Sequence, residues 1–168
     1  RAFFAYNVIL FIDLLGGFML YPFFALYLTQ KFDINMATVG ILFAIFSITG
    51  FVGSALGGAL TDRMGRKGVI IASLILSSIS ALGMGFAPSI GWFVAVTVVV
   101  GTMSSIGGPA REAVVADLLR EEKRAEGYGI NRVIFNLAVI IAPPIAGLLI
   151  ANSYLTLFIV DAAISLVA

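Results

Sequence analysis

Apolar residues come in six long runs, about 4–29, 36–60, 68–87, 92–118, 127–150 and 154–168, and most of the charged residues fall at their ends. Runs of about 17–25 apolar residues predict transmembrane helices, each crossing a hydrocarbon core of roughly 30 Å. The pattern therefore predicts an all-α, polytopic membrane protein with six transmembrane helices. The connections "APSIGW" and "ANSY" are very short, so neighbouring helices must run antiparallel. No linker breaks the chain, and residues 1–168 are expected to form one unit. Arg1 opens the chain without a Met and the last run stops while still apolar, as expected of a piece of a longer protein.

Composition agrees with this pattern. The chain is 61% hydrophobic and 11% charged, with a mean hydropathy of +1.10, whereas soluble domains are about a quarter charged. No charged n-region, short apolar core and small-residue cleavage site marks a removable signal peptide. Cysteine and histidine are both absent. Thiolate chemistry is excluded, as are the commonest metal ligand and the commonest general base. An enzyme is not expected, nor a metal, a cofactor or a nucleic-acid partner; the lipid bilayer is.

Lys and Arg concentrate in alternate connections. Arg63, Arg66 and Lys67 follow the second run, and Arg120, Lys123 and Arg124 follow the fourth, with Arg132 just beyond. The intervening connections carry only Lys31, partly offset by Asp33. The positive-inside rule then puts the N-terminus and the 2–3 and 4–5 loops in the cytoplasm. Tyr27, Trp92 and Tyr154 are expected near the outer interface, where amphipathic aromatics are favoured.

The second run ends in "GFVGSALGGAL", with Gly53 and Gly57 four apart on one face, a spacing that lets another helix backbone approach closely. Gly65 permits a chain reversal that a Cβ would resist. Asp62 is poorly placed for its own helix, because an acid is unfavourable at a C-terminal dipole. It is better suited to the N-terminus of another helix, or to a cation. The stretch Gly58-Ala59-Leu60-Thr61-Asp62-Arg63-Met64-Gly65-Arg66-Lys67 resembles motif A of the major facilitator superfamily. The resemblance implies a conformational latch: Asp62 meets a helix of the other half of the transporter, and Arg66 pairs with an acid at the end of helix four, here Asp117. The alternative is that Arg63, Arg66 and Lys67 only anchor topology.

A second stretch, "AVIIAPPIAG", is similar to motif C of drug–proton antiporters in that superfamily. Pro143 and Gly147 fit, while Ala138, Ala142 and Ala146 stand where the motif has glycines. Pro143 and Pro144 remove two amide donors from the fifth helix and are expected to kink it. The deep Arg of motif B is missing; by position it would fall near Val99. The resemblance covers essentially the whole chain and implies two inverted three-helix repeats, making one half of an expected twelve-helix transporter.

Ionisable groups inside the bilayer cost about 2.5–3.5 kcal/mol each and need a reason. Asp13 lies about 13 Å into the first helix, and Arg111 about 10 Å from the cytoplasmic end of the fourth, at 1.5 Å per residue. Their depths are comparable. Helices one and four line the central cavity in the resembling superfamily, so Asp13 and Arg111 are candidates for substrate or proton handling. Gly107, Gly108 and Ser104 lie on the Arg111 face and leave room beside it. Glu112 is a second candidate acid, pointing about 100° away from Arg111 along the helix. Asn131 and Asn136 are candidate cavity residues of the fifth helix, and Arg132 can snorkel to the surface. Asp161, in a helix that is peripheral in that superfamily, is expected to be structural. The expected function is secondary transport by alternating access, as proton-coupled efflux of a small drug or metabolite from a bacterial inner membrane. A sugar or metabolite symporter or uniporter is the alternative within transport. A six-helix channel or receptor scaffold is the alternative from another class, but no polar pore stripe or Gly-rich filter is present.

Overall fold

Gly65 alone joins two of the longest elements, with φ 77° and ψ 154°, in the left-handed half of conformational space. Its amide donates to the Thr61 carbonyl (3.0 Å), closing one helix, and its carbonyl accepts from Val69 (3.3 Å), opening the next. The other well-defined starts are side-chain caps. Asn35 Oδ1 accepts from the Thr38 amide at 2.9 Å, and Ser89 Oγ accepts from the Trp92 amide at 3.3 Å. Each such cap satisfies a donor that would otherwise be orphaned at a helix N-terminus.

The computed structural model describes residues 2–151 and 153–167. The helices are α1 (Ala2–Leu20), a 3₁₀ turn (Tyr21–Phe23), α2 (Phe24–Phe32), α3 (Met36–Met64), α4 (Arg66–Gly85), α5 (Ile90–Leu118), α6 (Glu121–Ile150) and α7 (Tyr154–Val167). Asn152 of "ANSY" and Ala168, the expected end of the sixth helix, lie outside the described residues, as does the Ser104 side chain. All regular structure among the described residues is helical.

Several expected boundaries are corrected. The first run, expected over 4–29, is helical from Ala2 to Phe32, with the 3₁₀ turn at Pro22, where the ring removes an amide donor. Arg63 belongs to α3, Arg66 and Lys67 open α4, and Lys123 and Arg124 lie in the first turn of α6. Hydropathy under-reads such ends, because the backbone keeps its helical hydrogen bonds after the side chains turn polar. Among the described residues five spans, with α1 and α2 counted as one, are long and apolar enough to cross a membrane. The sixth, α7, has 14 described residues, or about 21 Å at 1.5 Å per residue.

Helix α3 packs along α5, α4 on α5 and α7, and α1 on α6 and α7. At the α3–α5 crossing, a Cβ on Gly53 or Gly57 would run into the backbone of Thr102 or Ile106. The absent side chains are what allow that approach. At the α1–α6 crossing Ala142 and Ala146 do the same work, fully buried with Met19 and Leu157. Helix α6 stays continuous through Pro143 and Pro144.

Away from the basic end, an aromatic core forms around Tyr27, Phe93 and Phe158. Tyr27 lies at this end as a core residue, 4% exposed, with its hydroxyl donating to the Met84 carbonyl at 3.0 Å. Trp92 remains half exposed. Outward faces carry large apolar side chains such as Phe51, Ile140 and Leu148, a surface that water would penalise and lipid tails accept.

Candidate functional site

The α4–α5 and α1–α7 contacts leave a cavity of about 290 Å³ among the helices. Its polar wall is Asp13 from α1, Ser73 and Ser77 from α4, Arg111 from α5, and Asp161 and Ser165 from α7. The apolar wall includes Phe18, Tyr21, Phe24, Phe43 and Phe46. A second cavity, of about 470 Å³, lies nearer the basic end and is lined by Tyr6, Leu10, Ile70, Arg66, Val114 and Asp117 among others. Asp13 and Arg111 line both.

These two residues form an ion pair, Arg111 Nη2 to Asp13 Oδ2, at 2.8 Å. Their side chains are 25% and 16% exposed respectively. The order of lining residues along α1 and α5 puts the pair at the boundary between the cavities. Leu14, Gly17 and Phe18 lie on one side of Asp13 in sequence; Tyr6, Ile9 and Leu10 lie on the other. Gly107 makes room for Ser73: a Cβ there would run into Ser73 Oγ, while Arg111 Cζ, at 3.7 Å, would be in ordinary contact. The Tyr6 hydroxyl donates to the Arg111 backbone carbonyl (3.0 Å), tying α1 to α5 beside the pair.

At the mouth of the second cavity Arg66, in the first turn of α4, pairs with Asp117 near the end of α5. Asp62 and Lys67 are exposed close by, as is Arg63. Gly58 has open space where a Cβ would project. Not all sequence candidates converge. Glu112 and Asn136 are exposed, and neither lines the two cavities. Asn131 is half-buried with an Oδ1 that lacks a hydrogen-bond partner. Ala142 is buried in a packing contact, while Pro143, Pro144 and Gly147 lie nearer the surface of α6. No group of acids suited to a metal occurs among the described residues.

The family model of the Major Facilitator Superfamily matches residues 7–168. The chain belongs to that superfamily. Superfamily members are transporters, and the apolar helices make this an integral membrane protein. It is 29% identical over 154 residues to a Na(+), Li(+), K(+)/H(+) antiporter of Planococcus maritimus, covering 88% of this chain and 35% of the relative. It is 31% identical over 126 residues to the class C tetracycline resistance protein of Escherichia coli, covering 75% and 32% respectively. It is 25% identical over 159 residues to the quinolone resistance protein NorA of Staphylococcus aureus, covering 95% and 41%. The chain thus spans between 32% and 41% of the length of these relatives.

Sequence reasoning missed three cavity residues in this superfamily member: Ser73, Ser77 and Ser165. Asp161, expected to be structural, also lies in the cavity wall. The signal was present. Ser73 and Ser77 are four apart, as are Asp161 and Ser165, so each couple shares one helix face.

Proposed function

We propose that the chain is the N-terminal half of a secondary transporter that exports a small molecule in exchange for protons across a bacterial plasma membrane. Its six spans form two inverted three-helix repeats, and substrate binds near the midplane between this half and a second one. Support for the repeats comes from the contact pattern. Exchanging the first three spans for the last three carries α3–α5 onto α6–α1 and α4–α5 onto α7–α1, and returns α4–α7 to itself. The resistance proteins and the cation/proton antiporter among the relatives support efflux and proton coupling. The basic end faces the cytoplasm, by the positive-inside rule. Because the chain has no native cysteine, this is open to labelling: Arg66→Cys and Lys123→Cys should react only from inside, Asn35→Cys and Ser89→Cys from outside.

The observation that carries the mechanism is the Asp13–Arg111 pair shared by the two cavities. While paired, Asp13 is ionised and the boundary between the cavities is held by a charge-assisted hydrogen bond. Rocking of the two halves separates the pair. An unpaired carboxylate in an apolar site is neutralised by a proton, so conformation and proton uptake depend on each other. At the cytoplasmic mouth Arg66 and Asp117 tie α4 to α5, and Asp62 reaches the opposite half. An interfacial charge-assisted contact of about 1.5–3 kcal/mol shifts a two-state balance by tenfold or more. Asp62→Asn is therefore expected to impair transport while leaving membrane insertion intact.

The test is transport by the full-length protein in proteoliposomes under an imposed pH gradient. Asp13→Asn should abolish gradient-driven accumulation and spare downhill exchange. Accumulation that survives with an unaltered pH dependence would make Asp13 a packing residue.

A further inference from the structure

Asp161 is 6% exposed, lines the central cavity, and has neither a hydrogen bond nor an ion pair to its carboxylate among the described residues. The helices packed on α7 are α1, α4 and α6, and none brings it a cation. Helix α1 presents Gly16 and Asp13; a Cβ on residue 16 would come within 2.5 Å of Asp161 Oδ1, so the glycine makes room for the carboxylate. Helix α4 presents Ser73 and Ser77 to the cavity, and its Ser78 hydroxyl is spent on the Ala162 carbonyl at 2.9 Å. Helix α6 meets α7 through Ala142 and Ala146. Across the cavity, α5 offers Arg111, which is held by Asp13.

The cavity therefore contains two carboxylates and one guanidinium. With Asp13 and Arg111 neutralising each other, the wall is one positive charge short, and the deficit sits on Asp161. A carboxylate this buried does not remain bare; it takes a proton or pairs with a cation. The cavity admits either. Phe18, Tyr21, Phe24 and Phe43 line the same cavity as the acid, and aromatic rings attract organic cations through the π quadrupole.

We propose that Asp161 is a binding site for one monovalent positive charge, a proton or the charged head of an organic cation, filled while Asp13 remains paired with Arg111. This assigns a ligand-binding role to α7. It rests on the transport reading above only in taking the central cavity as the solute-binding space.

The experiment uses the purified full-length protein. Wild type is treated with dicyclohexylcarbodiimide, which attacks protonated carboxyls in apolar sites, and adducts are mapped by mass spectrometry. Label is expected on Asp161 in mildly acidic buffer and is expected to fall as pH rises. In parallel, tetraphenylphosphonium binding is measured for wild type, Asp161→Asn and Asp161→Glu. Loss of the charge should weaken binding at least about tenfold, with partial recovery in the Glu variant. Labelling with unchanged tetraphenylphosphonium affinity identifies the proton as the ligand; protection from labelling by tetraphenylphosphonium identifies a site that both share. Absence of label on Asp161, together with unchanged affinity in Asp161→Asn, overturns the proposal. If Asp161→Asn does not fold, wild-type labelling and its protection decide, and absence of both overturns it. Failure of the Asp13 coupling reading has a different readout, since gradient-driven accumulation in Asp13→Asn leaves the Asp161 label and its protection unaffected.

Discussion

The two arginine–aspartate pairs among the described residues use the same groups in different surroundings. Arg66 and Asp117 are 40% and 49% exposed at the basic end. Arg111 and Asp13 are 25% and 16% exposed between two cavities. In water such a pair gains little, because solvent screens the attraction and the side chains lose entropy. Away from water the pair is also a poor source of net stability, but removing one member leaves a charge with no partner. The first pair can open and close at small cost. Separating the second leaves two partly buried charges without partners unless a proton or a cation compensates. That difference fits a latch at one place and a coupling element at the other.

The comparison can be broken most decisively at Arg111. Arg111→Met strands Asp13 and is expected to destabilise the protein by about 3–5 kcal/mol at a pH where Asp13 stays ionised, the cost of an uncompensated buried charge. The loss is smaller in acid, where a proton neutralises the carboxylate. Asp13→Asn combined with Arg111→Met should recover most of that loss. Thermal unfolding in detergent measures both. If the double variant is no more stable than the single, the pair does not act through charge.

A smaller effect is expected at Gly65, which holds Arg66 in register with Asp117. With φ at 77° and ψ at 154°, and nothing within 4 Å of an added Cβ, Gly65→Ala meets only conformational strain, about 1–3 kcal/mol. A larger loss would mean that the turn is packed against something beyond this chain.

The smallest stability change belongs to Arg66→Ala, at about 0–1 kcal/mol and diminishing with added salt. Transport should nevertheless fall. A variant that is both fully stable and fully active would reduce Arg66 to a topology anchor and remove the contrast between the pairs.

The sequence by itself determined the helical architecture, because lipid cannot satisfy backbone amides and leaves helices as the way across for such apolar runs. It also determined the reversal at Gly65 and the close approach at Gly53 and Gly57, since only the absence of a Cβ permits either. The residue types that pair at Arg66 and Asp117 were legible through a motif resemblance, and Asp13 and Arg111 through the cost of charge in hydrocarbon. The tertiary structure alone decided which candidates meet. Glu112 and Asn136 are polar residues on long helices just as Asp13 is, yet they point away from both cavities. Asp161, expected to be structural, stands in the cavity wall. The physical reason is that helices apolar on nearly every face carry little amphipathic signal. Their rotation and neighbours are set by small-residue crossings and side-chain packing across the bundle, which hydropathy along the chain does not record.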